Sequence, residues 1–180
     1  MVKSLHLRRL GRLLPLVATG TALLGAAPAA ASPVPACPPG QGAQALSVTT
    51  LCLINHERAS RAAPRLRLDR RLRRAARRHA GDMVAQHYFS HTSRSGLSPS
   101  GRIARTGWMH GRSHWKVGEN LAWQMRSPSP RTIVDAWLRS RPHRHVLLDP
   151  AYHVIGLGIV RGVPFARARR GATYAADFGS

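Results

Sequence analysis

Residues 69–86, DRRLRRAARRHAGDMVAQ, carry the strongest structural signal in the chain. Leu72, Ala75, Ala76, His79 and Met83 recur at i, i+3, i+4, i+7 and i+11, the period of one helix face, and Asp69 is a good N-cap. Arg73, Arg74, Arg77 and Arg78 fall on the other side of that helix. They read most simply as a solvated face, and they are also the best polyanion-binding candidate in the sequence. His79 lies within the apolar stripe and reads as a hydrogen-bonded core histidine rather than a ligand.

Working outward, SVTTLCLINHERASR from Ser47 offers hydroxyl caps, then Leu51 and Ile54 above a polar face, and predicts a first helix ended by Ala-Ala-Pro. Ahead of it, residues 32–46 are rich in Pro and Gly, have no apolar period and read as an arm. Downstream, SPSGRIARTG predicts a short helix with Ser98 as cap and Pro99 in its first turn, and WMHGRSHWK reads as a loop. SPSPRTIVDAWLRS repeats the start signal at Ser129 and Pro130 and turns Ile133, Val134 and Trp137 to a core. The chain closes on two β-like runs, VIGLGIV and ATYAADFG, with an Arg- and Gly-rich turn between them. Helices first and strands last, without regular alternation, predict an α+β domain.

Residues 1–31 read as an export leader. Lys3, Arg8, Arg9 and Arg12 precede an apolar stretch, and Ala29 and Ala31 occupy the small-residue positions before a cut. Pro15, Thr19, Gly20, Thr21 and Pro28 interrupt that stretch, which argues against a membrane span. Arg8-Arg9 leaves twin-arginine export open beside the general route. The expectation is a secreted, monomeric protein of one domain, with no stable membrane insertion once the leader is removed.

The full chain has 28 Lys and Arg against 7 Asp and Glu. Without the four leader cations, 24 remain against the same 7 acids, a net charge near +17. A GC-rich genome accounts for arginine over lysine but not for the scarcity of acids, so the balance points to an anionic neighbourhood: cell-wall polymer, anionic lipid or nucleic acid. Cys37 and Cys52 both lie beyond the leader, and an even count in an oxidising compartment predicts a disulfide tying the arm to the first helix. The alternative is lipid attachment at Cys37 in VPAC, which Pro35 and the distance from the apolar core disfavour.

Three clusters could carry chemistry. HYFSH places His87 and His91 at the spacing of zinc histidines on a helix, but Tyr88 stands where such a hydrolase needs glutamate. VGENLAW, residues 117–123, sets Glu119 in an otherwise apolar run, where a buried acid needs a partner. RPHRHVLLDP brings His143 and His145 just after the Trp137 helix, around a Pro142 that reads as a turn.

Taken in order, LINHERA, LRLDRRLRRAARRHAGDM, FSHTS, GENLAW, IVDAWLRSRPHRHVLL and YHVIGLG resemble the CAP superfamily in its short bacterial, SCP-like form. The resemblance covers residues 47–180. It implies a three-layer α-β-α sandwich with a small antiparallel sheet, and a central cleft where two histidines and two acids meet. On this chain those positions are His91, Glu119 and His143. The fourth falls on Ser140, three residues beyond Trp137, or on His153 ahead of VIGLG, neither of them acidic. Two imidazoles and one carboxylate suit a divalent ion such as zinc with water completing the shell. A hydrolytic pair of acids is not offered, so the resemblance implies binding of a lipid-like or other small ligand rather than catalysis. A basic protein on anionic envelope polymer or nucleic acid, and a metal-dependent hydrolase, are the alternatives.

Overall fold

The computed structural model describes residues 36–39, 42–166 and 170–180. The leader reading therefore lies outside the described residues. The elements run α1 (Gly42–Ala59), β1 (Arg67–Leu68), α2 (Arg70–Ala85), α3 (Pro99–Ala104), β2 (Val117–Met125), α4 (Pro130–Arg139), α5 (Arg141–Leu148), β3 (Val154–Arg161) and β4 (Gly171–Gly179). The strands form one sheet in the order β1-β3-β4-β2. β4 is antiparallel to both neighbours, whereas the two-residue β1 pairs parallel to β3, so the sheet is mixed rather than purely antiparallel.

Strand alternation sorts the side chains into two layers. Ile155, Leu157 and Ile159 of β3, with Tyr174, Ala176 and Phe178 of β4, face the larger core, which Leu53 and Ile54 of α1, Ile133, Val134 and Trp137 of α4 and Leu147 of α5 complete. On the opposite face, Leu121 and Ala175 pack with Ala76, Ala80 and Met83 of α2, and Leu72 and Ala75 pack with Ile103 and Trp108. The result is a helix layer on each side of the sheet.

The glycines of VIGLG set how closely α2 can lie. A Cβ at Gly156 would stand 2.1 Å from the backbone of Leu72 and Arg73, and one at Gly158 would stand 2.3 Å from that of Ala76 and Arg77. Both are closer than any real Cβ contact, so the helix backbone rests directly on the strand. Asp69 caps α2 by accepting from the amides of Arg71 and Leu72.

LINHERA fastens α1 to the rest of the chain. Asn55 bonds both backbone groups of Leu66, and the buried Arg58 guanidinium donates to the carbonyls of Pro64, Leu147, Asp149 and Tyr152. Cys37 and Cys52 are joined as a disulfide, and the Thr49 hydroxyl bonds the Pro38 carbonyl, so the arm is strapped along α1.

Two elements differ from expectation, and a third falls where none was assigned. α1 begins at Gly42, within the stretch read as arm. The segment around Pro142 is not a turn but helix α5, since proline is tolerated in a first turn where no amide partner is needed. VGENLAWQM is a strand, β2, at the sheet edge.

Candidate functional site

Adjacent residues of β2 point to opposite faces of the sheet, and Glu119 and Asn120 use this to organise two histidines. On the α2 face, the Glu119 side chain is 1% exposed, and its Oε1 accepts from His91 Nδ1 at 2.8 Å. Its Oε2 accepts from Arg102 of α3 at 2.5 Å. On the other face, Asn120 Nδ2 donates to the His143 carbonyl at 2.9 Å. His143 Nδ1 meets Ser140 Oγ at 2.7 Å, and Ser140 is both the last cap of α4 and the N-cap of α5. The Trp137 indole donates to the Leu121 carbonyl of β2 and fixes α4 against the strand.

His91 and His143 are electrostatic neighbours. Burial, and then the charge of His91, lower the pKa of His143. Each ring is held through Nδ1, which leaves Nε2 of both as the atom free for a ligand.

The acid beside Glu119 is one that the sequence reading did not select. Asp177 of β4 stands directly opposite Glu119 of β2 and opposite Gly156 of β3. It is 1% exposed, and neither carboxyl oxygen has a hydrogen-bond partner. Burial first, and the charge of Glu119 second, push its pKa well above the usual carboxylate range. The signal was present in ATYAADFG: one of only seven acids, in the middle of an apolar run, the same reasoning that selected Glu119. Arg102 had no such signal, being one cation among 28. It is buried, and besides Glu119 it donates to the carbonyls of His91 and Leu97, so it positions the histidine loop and the acid together.

The remaining candidates separate cleanly. His153 is exposed at the start of β3, where its backbone bonds Arg67 and Gly179, and no described hydrogen bond or ion pair joins its side chain to Glu119, His91 or His143. His79 is the core histidine expected, 1% exposed, donating Nε2–H to the Ser90 carbonyl. HYFSH is not helical, because α2 ends at Ala85 and His87 takes φ 53°, so His87 and His91 do not share a helix face. Arg73, Arg74, Arg77 and Arg78 are all exposed on α2.

Among the described residues, no group of three or more His, Cys, Asp or Glu is arranged to hold a metal. Glu119, expected as a third ligand, has both oxygens engaged by His91 and Arg102. Glu119 thus orients the His91 ring through Nδ1 instead of offering a free oxygen.

The cysteine-rich secretory protein family, CAP, matches residues 51–164. The uncharacterized protein YkwD of Bacillus subtilis is 33% identical over 108 residues, which is 60% of this chain and 40% of YkwD. The chain thus spans less than half the length of that relative. Among solved structures, an outer surface protein from Borrelia burgdorferi shares the fold with a TM-score of 0.64 at 20% identity, over 78% of this chain and 96% of the other. An extracellular protein containing an SCP domain from Bacillus anthracis gives 0.57 at 22% identity, over 78% of this chain and 44% of the other. The sequence match spans both histidines and the whole of β2, and the fold is the one those proteins share: the chain belongs to the CAP family of cysteine-rich secretory proteins.

Proposed function

We propose that the protein is an extracellular binding protein whose arginine face on α2 docks on an anionic polymer of the cell envelope. The observation that carries this reading is the ridge itself. Arg73, Arg74, Arg77 and Arg78, with Arg70, are exposed and line a groove of about 520 Å³, and none is in an ion pair or side-chain hydrogen bond among the described residues. Unpaired guanidiniums at helical spacing present rigid donor forks suited to phosphate or carboxylate. The leader expected at residues 1–31 and structural neighbours described as extracellular and outer-surface proteins support export. No described helix is long and apolar enough to cross a membrane. The five arginines gathered along the α2 groove favour such a polymer over the lipid-like ligand that the resemblance implies.

Titration against a phosphate-bearing polymer at several salt concentrations tests the reading. Affinity should fall steeply with salt; for a nucleic-acid probe the log-log slope is about −0.7 to −0.9 per phosphate neutralised. Replacing the four arginines with glutamine should flatten the slope. A slope unchanged by that replacement removes the ridge from the account.

A second reading, a divalent ion such as zinc held by His91 and His143, is favoured by the two free Nε2 atoms. Imidazole must be neutral to bind metal, and the lowered pKa of His143 keeps it neutral further into acid. Calorimetry with zinc at pH 7.5 should show saturable binding that is abolished by His91→Ala and by His143→Ala and weakens as the pH falls through the histidine range near ~6.5. Absence of saturation leaves the pair a structural network. Catalysis is not part of either reading.

A further inference from the structure

Between α2 and α3 lies a second cavity of about 270 Å³, distinct from the arginine groove and touching it only at Arg78. Its wall includes Arg78 and His79 of α2, Arg102 and Arg105 at α3, and the hydroxyls of Ser95 and Thr106. Arg78 and Arg105 are exposed, come from different elements and have no side-chain partner among the described residues. The one acid on the wall, Asp82, is already engaged by the Gln86 amide and the Tyr88 hydroxyl. With Arg102 paired to Glu119, the two free guanidiniums of Arg78 and Arg105 still outnumber that one carboxylate, so the balance of charge around the cavity is positive.

Two buried groups beneath it are incompletely satisfied. His79 is 1% exposed and Arg102 is 8% exposed, yet His79 Nδ1 and Arg102 Nε have no hydrogen-bond partner. Buried polar atoms are rarely left so. The two are complementary in kind. His79 donates Nε2–H to Ser90, so in the neutral ring Nδ1 carries a lone pair and asks for a donor, whereas Arg102 Nε–H asks for an acceptor. A hydrogen phosphate group bears both functions, and its oxygens match the two free guanidiniums and the hydroxyls.

We propose that this cavity is a phosphate-binding pocket, taking one phosphate group either as the free ion or as a terminal phosphomonoester of a larger molecule. The pocket stands apart from polymer docking on the ridge, since it requires only Arg78 in common with it.

Inorganic phosphate, titrated by calorimetry into the disulfide-bonded protein at constant ionic strength with chloride as the balancing anion, is the direct probe. Saturable binding of one phosphate per chain is expected. Arg105→Gln, an exposed change outside every buried network, should weaken it at least about tenfold, the loss typical of one charge-assisted contact. Arg73→Gln with Arg74→Gln, which lie on the groove but not on this cavity, should leave it unchanged. A parallel titration with a phosphomonoester-terminated sugar separates the sources. Tighter binding than inorganic phosphate, lost in Arg105→Gln, identifies a phosphomonoester as the ligand, and weaker binding identifies the free ion. No saturation by either probe, or an equal loss in the Arg73/Arg74 variant, overturns the pocket, and the second outcome assigns the anion to the ridge without harming the polymer reading.

Discussion

Asp177 shows how strongly one carboxyl can depend on its surroundings. It is directly opposite Glu119, which is held by Arg102 and His91, and it lies beneath α2 at the strand position where Gly156 has no side chain. Two adjacent buried carboxylates cannot both carry charge without a large penalty, so the one without a cation keeps its proton. Its pKa is raised by burial first and by Glu119 second. Above the unfolded value near ~3.9 the native state holds a proton that the unfolded chain has lost, so this group's contribution to stability declines as pH rises toward its folded pKa. Asp177→Asn supplies a neutral side chain of the same shape. Denaturant unfolding across pH 4–8 should show the variant gaining on the parent as pH rises. A stability difference that stays constant with pH would mean that Asp177 is ionised in the native protein.

At the scale of elements, what the sequence made legible was set by how much of each signal is local. α2 could be read because its stripe of Leu72, Ala75, Ala76, His79 and Met83 is complete within its own turns, and its cap Asp69 is adjacent. β2 could not, because VGENLAWQM alternates Glu119 toward α2 and Asn120 toward α5, and both polar residues belong to partners distant in sequence. The same reason hid the length of α1, whose middle turns are strapped from outside by the disulfide at Cys52 and by Thr49 on Pro38. α5 was masked by Pro142, whose meaning depends on Ser140 having already ended α4. His91, Glu119, Ser140 and His143 were placed through the family resemblance rather than through any local period. Asp177 and Arg102, which complete the arrangement, required the register of β2 against β4 and the position of α3. The glycines at 156 and 158 belong to the same class: two apparent strand weaknesses that become intelligible only when the backbone of α2 is laid across them.

Over the whole molecule, the seven acids are each committed to a structural task. Asp69 caps α2, Glu119 joins Arg102 to His91, Asp177 is buried, and Asp82 is engaged by Gln86 and Tyr88. Asp149 pairs with Lys116, Glu57 with Arg61 and Arg131, and Asp135 with Arg131. None forms an ion pair with Arg73, Arg74, Arg77 or Arg78 among the described residues, and Asp69 and Asp82, the two acids at α2, are outnumbered by its arginines, so most of the balancing anions come from outside the chain. Like charges held at helical spacing repel, and the repulsion is relieved in the unfolded chain, which costs the native state stability at low ionic strength. Salt should therefore stabilise this protein. The thermal midpoint is expected to rise as sodium chloride increases from about 0.01 to about 0.15 M, over which the Debye length falls from ~30 to ~8 Å. A phosphate-bearing polymer should raise it further at the same ionic strength, because a ligand that binds only the folded state adds its binding free energy to stability. In the variant with Arg73, Arg74, Arg77 and Arg78 replaced by glutamine, both responses should shrink together. A midpoint that falls with added chloride would show that the few ion pairs present outweigh the arginine repulsion, and that the positive surface of α2 does not strain the folded chain.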